Sequence, residues 1–318
     1  MEVCAFTKSL KDDFKKFLMA RVSDYLRRLL DGFFNGVSGY LYRFFNGASV
    51  YRFVGMLIII LCCGITVHAQ QGSFPLEKKY EGGIVDFTVD NLGNIYLLYK
   101  TDQLKKLGPA GDSIAVYSAI RRYGQLYSMD VTNPLKIILY YKDFGTVVAL
   151  DRLLNVRHTI DLRKLNIFQA KAVGLAYDNN IWVFDEQDGK LKKISEEAKI
   201  VDETNDLRQL FDSLPSPDRL IDQDRLVYLY DATKGIYAFD YYGALKNRVR
   251  LYNWKDLAVL GKSIYGRNGT HLLKYDGSTL DMQEIPMPAA WKGASRIVIT
   301  PQKIYVLSNG VLEIYTIP

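Results

Sequence analysis

The chain has 318 residues, of which 48% are hydrophobic, 24% charged and 13% aromatic, an ordinary globular balance that excludes disordered, collagen-like and coiled-coil classes. Its formal charge of +6 is unevenly placed: residues 1–69 hold 9 Lys/Arg against 5 Asp/Glu, and residues 70–318 hold 32 against 30. The larger part therefore has no electrostatic footprint for nucleic acid. All three cysteines, Cys4, Cys62 and Cys63, fall in the first fifth of the chain, which excludes a disulfide framework, a zinc–thiolate site and a cysteine nucleophile from the rest.

The first element is a targeting segment. Residues 54–67 (VGMLIIILCCGITV) form an apolar run of 14 residues, shorter than the roughly 20 a spanning helix needs and within the roughly 7–15 of a signal-peptide core. Val67-His68-Ala69 is a small-x-small pattern suited to cleavage, and Arg52 supplies the preceding positive charge. Neither Cys62 nor Cys63 follows a small residue as a lipid-anchor site requires. Upstream, residues 1–53 contain a helical periodicity (Leu10, Phe14, Phe17, Leu18, Tyr25, Leu29) and the duplicated blocks FFNGVSGY and FFNGASVY. Three readings of this extension stay open: a start codon placed too early, a cytoplasmic tail on an uncleaved signal anchor, or a long cleaved leader. Each places residues 70–318 outside the cytoplasm.

From residue 74 onward one pattern recurs six times. Its middle strand is anchored at Ile95, Ile138, Ile181, Val227, Ile264 and Ile304, at intervals of 43, 43, 46, 37 and 40 residues. A hairpin strand follows each anchor: QLKKLG, GTVVALD, GKLKKIS, GIYAFD, HLLKYD and VLEIYTI. Strands such as VDFTVD, KAVGLAY and RIVITP precede them. The period matches the roughly 40–50 residues of a four-stranded propeller blade. Asn/Asp-Gly signals lie where the hairpins turn. The 249 residues from Gln70 onward hold six blades with no surplus for another domain. The last unit offers three strands, and residues 74–80 form an orphan strand before the first. Pairing the two would close the ring and remove its open edges.

The segments Gly145-Thr146-Val147-Val148-Ala149-Leu150-Asp151 and Gly235-Ile236-Tyr237-Ala238-Phe239-Asp240 resemble the repeat of quinoprotein-like, YVTN-type and NHL-type bacterial propellers. There, a glycine turn precedes a strand ending in Ala-aromatic/Leu-Asp. The resemblance covers residues 74–318 and implies fold rather than activity. It also implies compatibility with an envelope role, since outer-membrane assembly includes a non-enzymatic propeller of this type. The Gly-His and Trp-Asp signature of WD40 blades is absent from the sequence.

Chemistry-bearing patterns are sparse. His158 and His271 are the two histidines beyond residue 70, and neither has an HxH or HExxH neighbour. No nucleophile elbow, P-loop or dinucleotide fingerprint occurs. Asp185, Glu186 and Asp188 could ligate calcium, although a solvated hairpin turn explains them as well. Asp90, Asp130 and Asp178 sit at ends of inner strands, where a lactonase-like channel site would need carboxylates and where Asp also caps turns. Length beyond the repeat occurs in residues 196–219, 161–168 and 252–256, the first with a short helix expected over 206–213. Trp254, Trp291, Arg121 and Arg122 are residue types enriched at interface hot spots and are the partner-binding candidates, set against packing between blades and solvation. Asn268-Gly269-Thr270 fits a glycosylation sequon and equally a turn.

These readings predict an all-β, six-bladed β-propeller of four-stranded blades over residues 70–318. The N-terminal strand closes it, and a helical extension (1–53) and a signal peptide or anchor (54–69) precede it. The expected role is an exported binding scaffold or envelope-complex subunit in a Gram-negative periplasm, with a protein partner, no nucleic acid, and no catalytic, cofactor or metal residues. The alternative is a metal-assisted hydrolase or lyase with channel carboxylates.

Overall fold

The computed structural model of the protein describes residues 74–317 except Asp102 and Ala119, and no side chain of Ile120 or Arg121. The extension 1–53 and the expected signal segment 54–69 lie outside the described residues. The described residues form six four-stranded antiparallel sheets, the six blades of a propeller. Strand β1 (Leu76–Tyr80) precedes blade 1, which is β2 (Ile84–Val89), β3 (Ile95–Tyr99), β4 (Leu104–Leu107) and β5 (Ser113–Tyr117). Blade 2 is β6 (Ser128–Asn133), β7 (Lys136–Tyr141), β8 (Thr146–Asp151) and β9 (Val156–Asp161). Blade 3 is β10 (Ala170–Leu175), β11 (Ile181–Asp185), β12 (Lys190–Ile194) and β13 (Ile200–Glu203). Blade 4 is β14 (Arg219–Gln223), β15 (Leu226–Asp231), β16 (Gly235–Asp240) and β17 (Leu245–Val249). Blade 5 is β18 (Lys255–Leu260), β19 (Ser263–Arg267), β20 (His271–Asp276) and β21 (Met282–Pro286). Blade 6 combines β22 (Arg296–Ile299), β23 (Lys303–Ser308) and β24 (Val311–Thr316) with β1.

All six anchors fall in the second strand of their blade. The second strands are largely apolar on both sides because each blade is packed between two others. β7 is buried along its whole length and β11 likewise, whereas β13 and β21 are exposed throughout. Each buried Leu, Ile or Phe contributes about 1.5–3 kcal/mol. The first strands of successive blades touch each other around the axis: β2 with β6, β6 with β10, β10 with β14, β14 with β18, β18 with β22, and β22 with β2. The ring is closed at both levels. At its rim, β1 pairs antiparallel with β24, Lys78 opposite Ile314 and Tyr80 opposite Leu312. Phe74 just before it packs tilted against Trp291, ring centroids 5.0 Å apart, and Trp291 also meets Tyr315 at 4.9 Å.

The recurring glycine and aspartate have separate jobs. Gly145 and Gly235 close their turns at φ +59° and +91°, and a Cβ on Gly235 would lie 2.4 Å from the Val249 carbonyl oxygen. Asp151 and Asp240, which end the following strands, each accept the backbone N–H groups two and four residues on, at 2.8 to 3.0 Å. This Asx geometry fixes the outer hairpin. Gly174 in β10 has ordinary φ but no room: a Cβ would sit 2.8 Å from Leu220 Cδ2, so its lack of side chain lets β10 and β14 approach.

Two local expectations change. The helix expected over 206–213 is a 3-10 turn at Leu207–Gln209, with the Asp206 side chain accepting from Arg208 N; the Leu-Pro-Ser-Pro that follows leaves no length for more. The Asp185-Glu186-Asp188 cluster is a hairpin turn as expected, but solvated only at Glu186 and Asp188. Asp185 is 0% exposed, and Lys192 holds it at 2.8 Å and also binds Asp188.

Candidate functional site

Each first strand runs from one face of the ring to the other, which makes the faces chemically distinct. On the turn face, tight hairpins join first to second and third to fourth strands. On the opposite, connector face lie the second-to-third-strand hairpins, the blade-to-blade connections and, among the described residues, all four 3-10 turns, at Ile120–Tyr123, Leu162–Leu165, Leu207–Gln209 and Ala289–Trp291. The long intervals 161–168 and 252–256 are on this face, as is 204–218 of the third. Four of the six exposed Phe and Tyr side chains among the described residues are also here: Tyr127, Phe144, Phe168 and Tyr252. Tyr127, Phe168 and Tyr252 lie on blade-to-blade connectors and Phe144 in the β7–β8 hairpin beside them, and together they leave apolar surface on this face available for contact.

At the centre of the connector face the first residues of several inner strands converge. Arg296 of β22 places Nη1 2.6 and 2.7 Å from the two carboxylate oxygens of Asp86 in β2, joining blades 6 and 1. Its Nε is buried without a partner. Asp256 of β18 accepts from Arg267 Nε at 2.6 Å and from the Ile297 backbone N–H at 2.8 Å, joining blades 5 and 6. Arg267 also donates to the Ala294 carbonyl at 3.0 Å. Arg219 opens β14 in blade 4, half-buried, its backbone paired with Tyr230 and its side chain in no hydrogen bond or ion pair among the described residues. Burial, then the like charge of Arg296, pull its pKa down, with Asp256, Asp86 and Asp218 acting in the opposite sense. Blade 4 adjoins neither blade 6 nor blade 1, so Arg296 and Asp86 act on Arg219 from across the axis, whereas Asp256 lies in the adjoining blade 5 and Asp218 in the same blade. Asp218, beside it, has its carboxyl pushed up by burial. Nearby, Glu186 ties Lys171 at 3.3 Å to Ser216 Oγ at 2.7 Å.

The inner-strand carboxylates singled out from sequence are structural acceptors. Asp90 accepts from Leu92 N, Asn94 N, Asn94 Nδ2 and the Tyr96 hydroxyl. Asp130 accepts from Thr132 N and, across to blade 3, Leu175 N. Asp178 accepts from Asn180 N and pairs with Lys193 at 3.2 Å. No group of three or more His, Cys, Asp or Glu among the described residues is arranged to hold a metal. His158 is on an outer strand, 3.3 Å from Glu196, and His271 Nδ1 lies 2.9 Å from the Thr270 hydroxyl. Asn268 accepts from the N–H groups of Thr270 and His271, a turn.

Among the partner-binding candidates, Trp291 is 1% and Trp254 7% exposed. Both are packing residues in this structure, the alternative to partner contact that the sequence left open. Trp254 sits with Tyr230, Leu251 and Leu273 between blades 4 and 5, its carbonyl accepting from the Tyr230 hydroxyl at 2.8 Å. Arg122 is exposed on the connector between blades 1 and 2, 5.5 Å from the Tyr123 ring centroid; the backbone of Arg121 is in the same 3-10 turn. Sequence reasoning passed over Arg219 and Arg296. The available signal was an arginine at the first position of an inner strand, as in RIVITP, where a side chain can face the axis.

No protein-family model matches the chain, and no curated protein sequence matches it. Solved structures do. A streptogramin B lyase is 13% identical over 73% of this chain and 78% of its own, with a TM-score of 0.51. A catalytically inactive virginiamycin B lyase from Staphylococcus aureus, with quinupristin, is 10% identical over 76% and 99% of the two chains, TM-score 0.52. The Pan2 WD40 domain of Neurospora crassa is 11% identical over 75% and 80%, TM-score 0.52. At this identity the likeness establishes the β-propeller fold, which hosts both lyases and a WD40 domain, and carries no activity with it.

Proposed function

We propose that the protein is an exported propeller, with residues 54–69 as its export signal and 70–318 as the ring, that binds a protein of the cell envelope through its connector face without covalent chemistry. The observation that carries the reading is the engagement of the inner-strand carboxylates. Asp86, Asp90, Asp130, Asp178 and Asp256 each hold a turn, a neighbouring blade or a basic side chain, which favours a rigid scaffold over a carboxylate metal centre. Recognition then falls to the connector aromatics, and Arg121 and Arg122 border them.

The test is in situ cross-linking of the full chain in its own envelope, with paired charge insertions on each face. Phe168→Asp with Tyr252→Asp on the connector face should cut recovery of the cross-linked partner at least about tenfold, the effect of losing one or two aromatic anchors. Leu135→Asp with Tyr242→Asp on the turn face should leave it unchanged. Loss from the turn-face pair alone would reverse the assignment. Excess calcium or magnesium should leave the melting midpoint unchanged; a metal bound only by the native state at a hundred times its Kd would add about 2.7 kcal/mol.

A further inference from the structure

The turn face has a hollow that the ring does not fill. Where turns of blades 2 and 3 meet, a cleft of about 470 Å³ opens, within the roughly 300–1,000 Å³ of small-ligand sites. Leu135 is the one apolar side chain in its lining. The charges there are already matched. Lys136, buried, gives two of its three N–H groups to the Asn179 carbonyl and, at 2.6 Å, to Glu196. Glu196 also meets His158 at 3.3 Å, and Asp178 is paired with Lys193 at 3.2 Å. Arg157 and Glu197 are exposed, one of each sign. The amides have capacity to spare. A turn asparagine ordinarily uses its side chain on its own backbone, as Asn268 does. Asn133 Nδ2 instead crosses between the blades to Asn179 Oδ1 at 2.9 Å, and Asn179 Nδ2 has no acceptor among the described residues.

Beside the cleft stands a fixed aromatic face. Tyr177, next to Asp178 in the same turn and 62% exposed, stacks parallel on Tyr241 with ring centroids 4.2 Å apart. Asp222 anchors the pair, accepting from the Tyr177 backbone N–H at 3.1 Å, the Tyr241 hydroxyl at 2.7 Å and Trp182 Nε1 at 2.9 Å. Lys193 Nζ lies 5.3 and 5.9 Å from the two centroids, too evenly to cap either outer face, so that of Tyr177 stays open.

We propose that the cleft and the Tyr177 ring bind an uncharged carbohydrate, one sugar stacked on the ring and the next held in the cleft. A sugar ring joins an apolar C–H face to a rim of hydroxyls. The first suits the negative π-face of a tyrosine, and the second suits amide and guanidinium groups with hydrogen-bonding capacity left over. An acid, a phosphate or a free amine would find no unmatched counterion in this lining and would lose hydration for nothing. A peptide requires apolar side-chain pockets or a free strand edge, and the lining offers Leu135 alone. The site is on the face opposite the protein-docking surface proposed above and does not depend on it.

The experiment titrates the purified full chain with maltotetraose, cellotetraose, chitotetraose and mannotetraose, read by saturation-transfer NMR and calorimetry. At least one should bind saturably at millimolar concentration. Tyr177→Ala should weaken that binding about tenfold, and Tyr177→Phe should stay within about twofold, because the ring and not the hydroxyl makes the contact. Arg157→Ala should weaken it about threefold through a lost hydrogen bond. Both residues are exposed, so these variants should melt within about 2 °C of the wild type. Tyr242→Ala removes another exposed tyrosine of the same face and should change nothing. Absence of binding by every one of these sugars overturns the proposal, as does binding that survives Tyr177→Ala or falls equally in Tyr242→Ala. A trigalacturonate that binds more tightly than all the neutral sugars overturns the uncharged class. The variants leave the connector face intact, so loss of sugar binding and loss of the cross-linked envelope partner are read separately.

Discussion

Blade 3 and blade 5 share a topology and differ in what fills them. In blade 3 every residue of β11 is buried, and so are four of the five in β12; Trp182 and Phe184 are among the largest fully buried side chains. Its Lys192–Asp185 pair, at 2.8 Å, lies within the sheet. In blade 5 only Leu272 and Leu273 of β20 are buried, β21 is exposed throughout, and none of the twelve largest fully buried side chains comes from its strands. Its buried charge, Arg267, instead reaches Asp256 and the carbonyls of the chain entering blade 6. Both buried ion pairs lie within their own blade, but the blade 5 pair also hydrogen-bonds the chain entering blade 6, through the Ala294 carbonyl and the Ile297 N–H. The charges at the channel mouth come from blades 4, 5, 6 and 1, while blades 2 and 3 supply the most continuous core. This division keeps an electrostatically costly site on a ring that remains rigid.

The largest expected effect comes from removing residues 74–80. That strips blade 6 of its outer strand and removes the Phe74 ring from Trp291. The loss of several kcal/mol should lower the melting midpoint by about 10 °C or more in a domain of this size. Hydrogen exchange should then find blades 5 and 6 opening first and blade 3 last. A truncated chain that melts with the full one, or a blade 3 that opens with blade 5, would break the comparison. Next in size are two core truncations. Trp182→Ala should cost about 3–5 kcal/mol, and Leu273→Ala about 2 kcal/mol, the low end for its class because the surrounding blade is more open. Urea denaturation measures both. An equal loss at the two sites would show that blade 5 is packed as tightly as blade 3.

The ring itself was legible because blades are local. The spacing of Ile95, Ile138, Ile181, Val227, Ile264 and Ile304 repeats one hairpin-rich unit, and its turns are written by Gly145, Gly235, Asp151 and Asp240 within a few residues of where they act. Closure by residues 74–80 was legible too, since three strands at one end and an orphan at the other admit a single economical pairing. The channel site was not, because it is assembled across the axis: Arg296 and Asp86 are 210 residues apart, and no spacing in the chain ties either to Arg219. Trp254 and Trp291 show a second limit. A tryptophan on a connector has the composition of a contact residue, and only the position of the neighbouring blade decides that it is covered. Asp185 shows a third, since Lys192, two residues beyond its register partner Lys190, reaches diagonally across the hairpin to neutralise it.

The smallest expected effect, and the finest probe of the same contrast, is acid sensitivity. In blade 3 the carboxyls of Asp178, Asp188 and Glu196 are held below their usual values. For Asp178 burial opposes the shift, and the hydrogen bonds from Asn180 and Lys193 outweigh it. For Asp188 and Glu196 the lysine hydrogen bonds, from Lys192 and Lys136, act first. A depressed folded pKa means that the unfolded chain takes up protons first, so these interactions contribute fully above about pH 4–4.5 and are lost as the pH falls below it. Asp218 on the edge of blade 4 works in reverse: its raised pKa makes the ionised form a cost, relieved on protonation. Lowering the pH from 6 to 3 should therefore erode the protection of blade 3 amides while sparing the start of β14, narrowing the gap between the two sectors. Asp178→Asn together with Asp188→Asn should lower the midpoint slightly at pH 6 and flatten its fall towards pH 3. Identical pH profiles for this variant and the wild type would mean that the blade 3 carboxylates, however well partnered, do not set the acid limit of the ring.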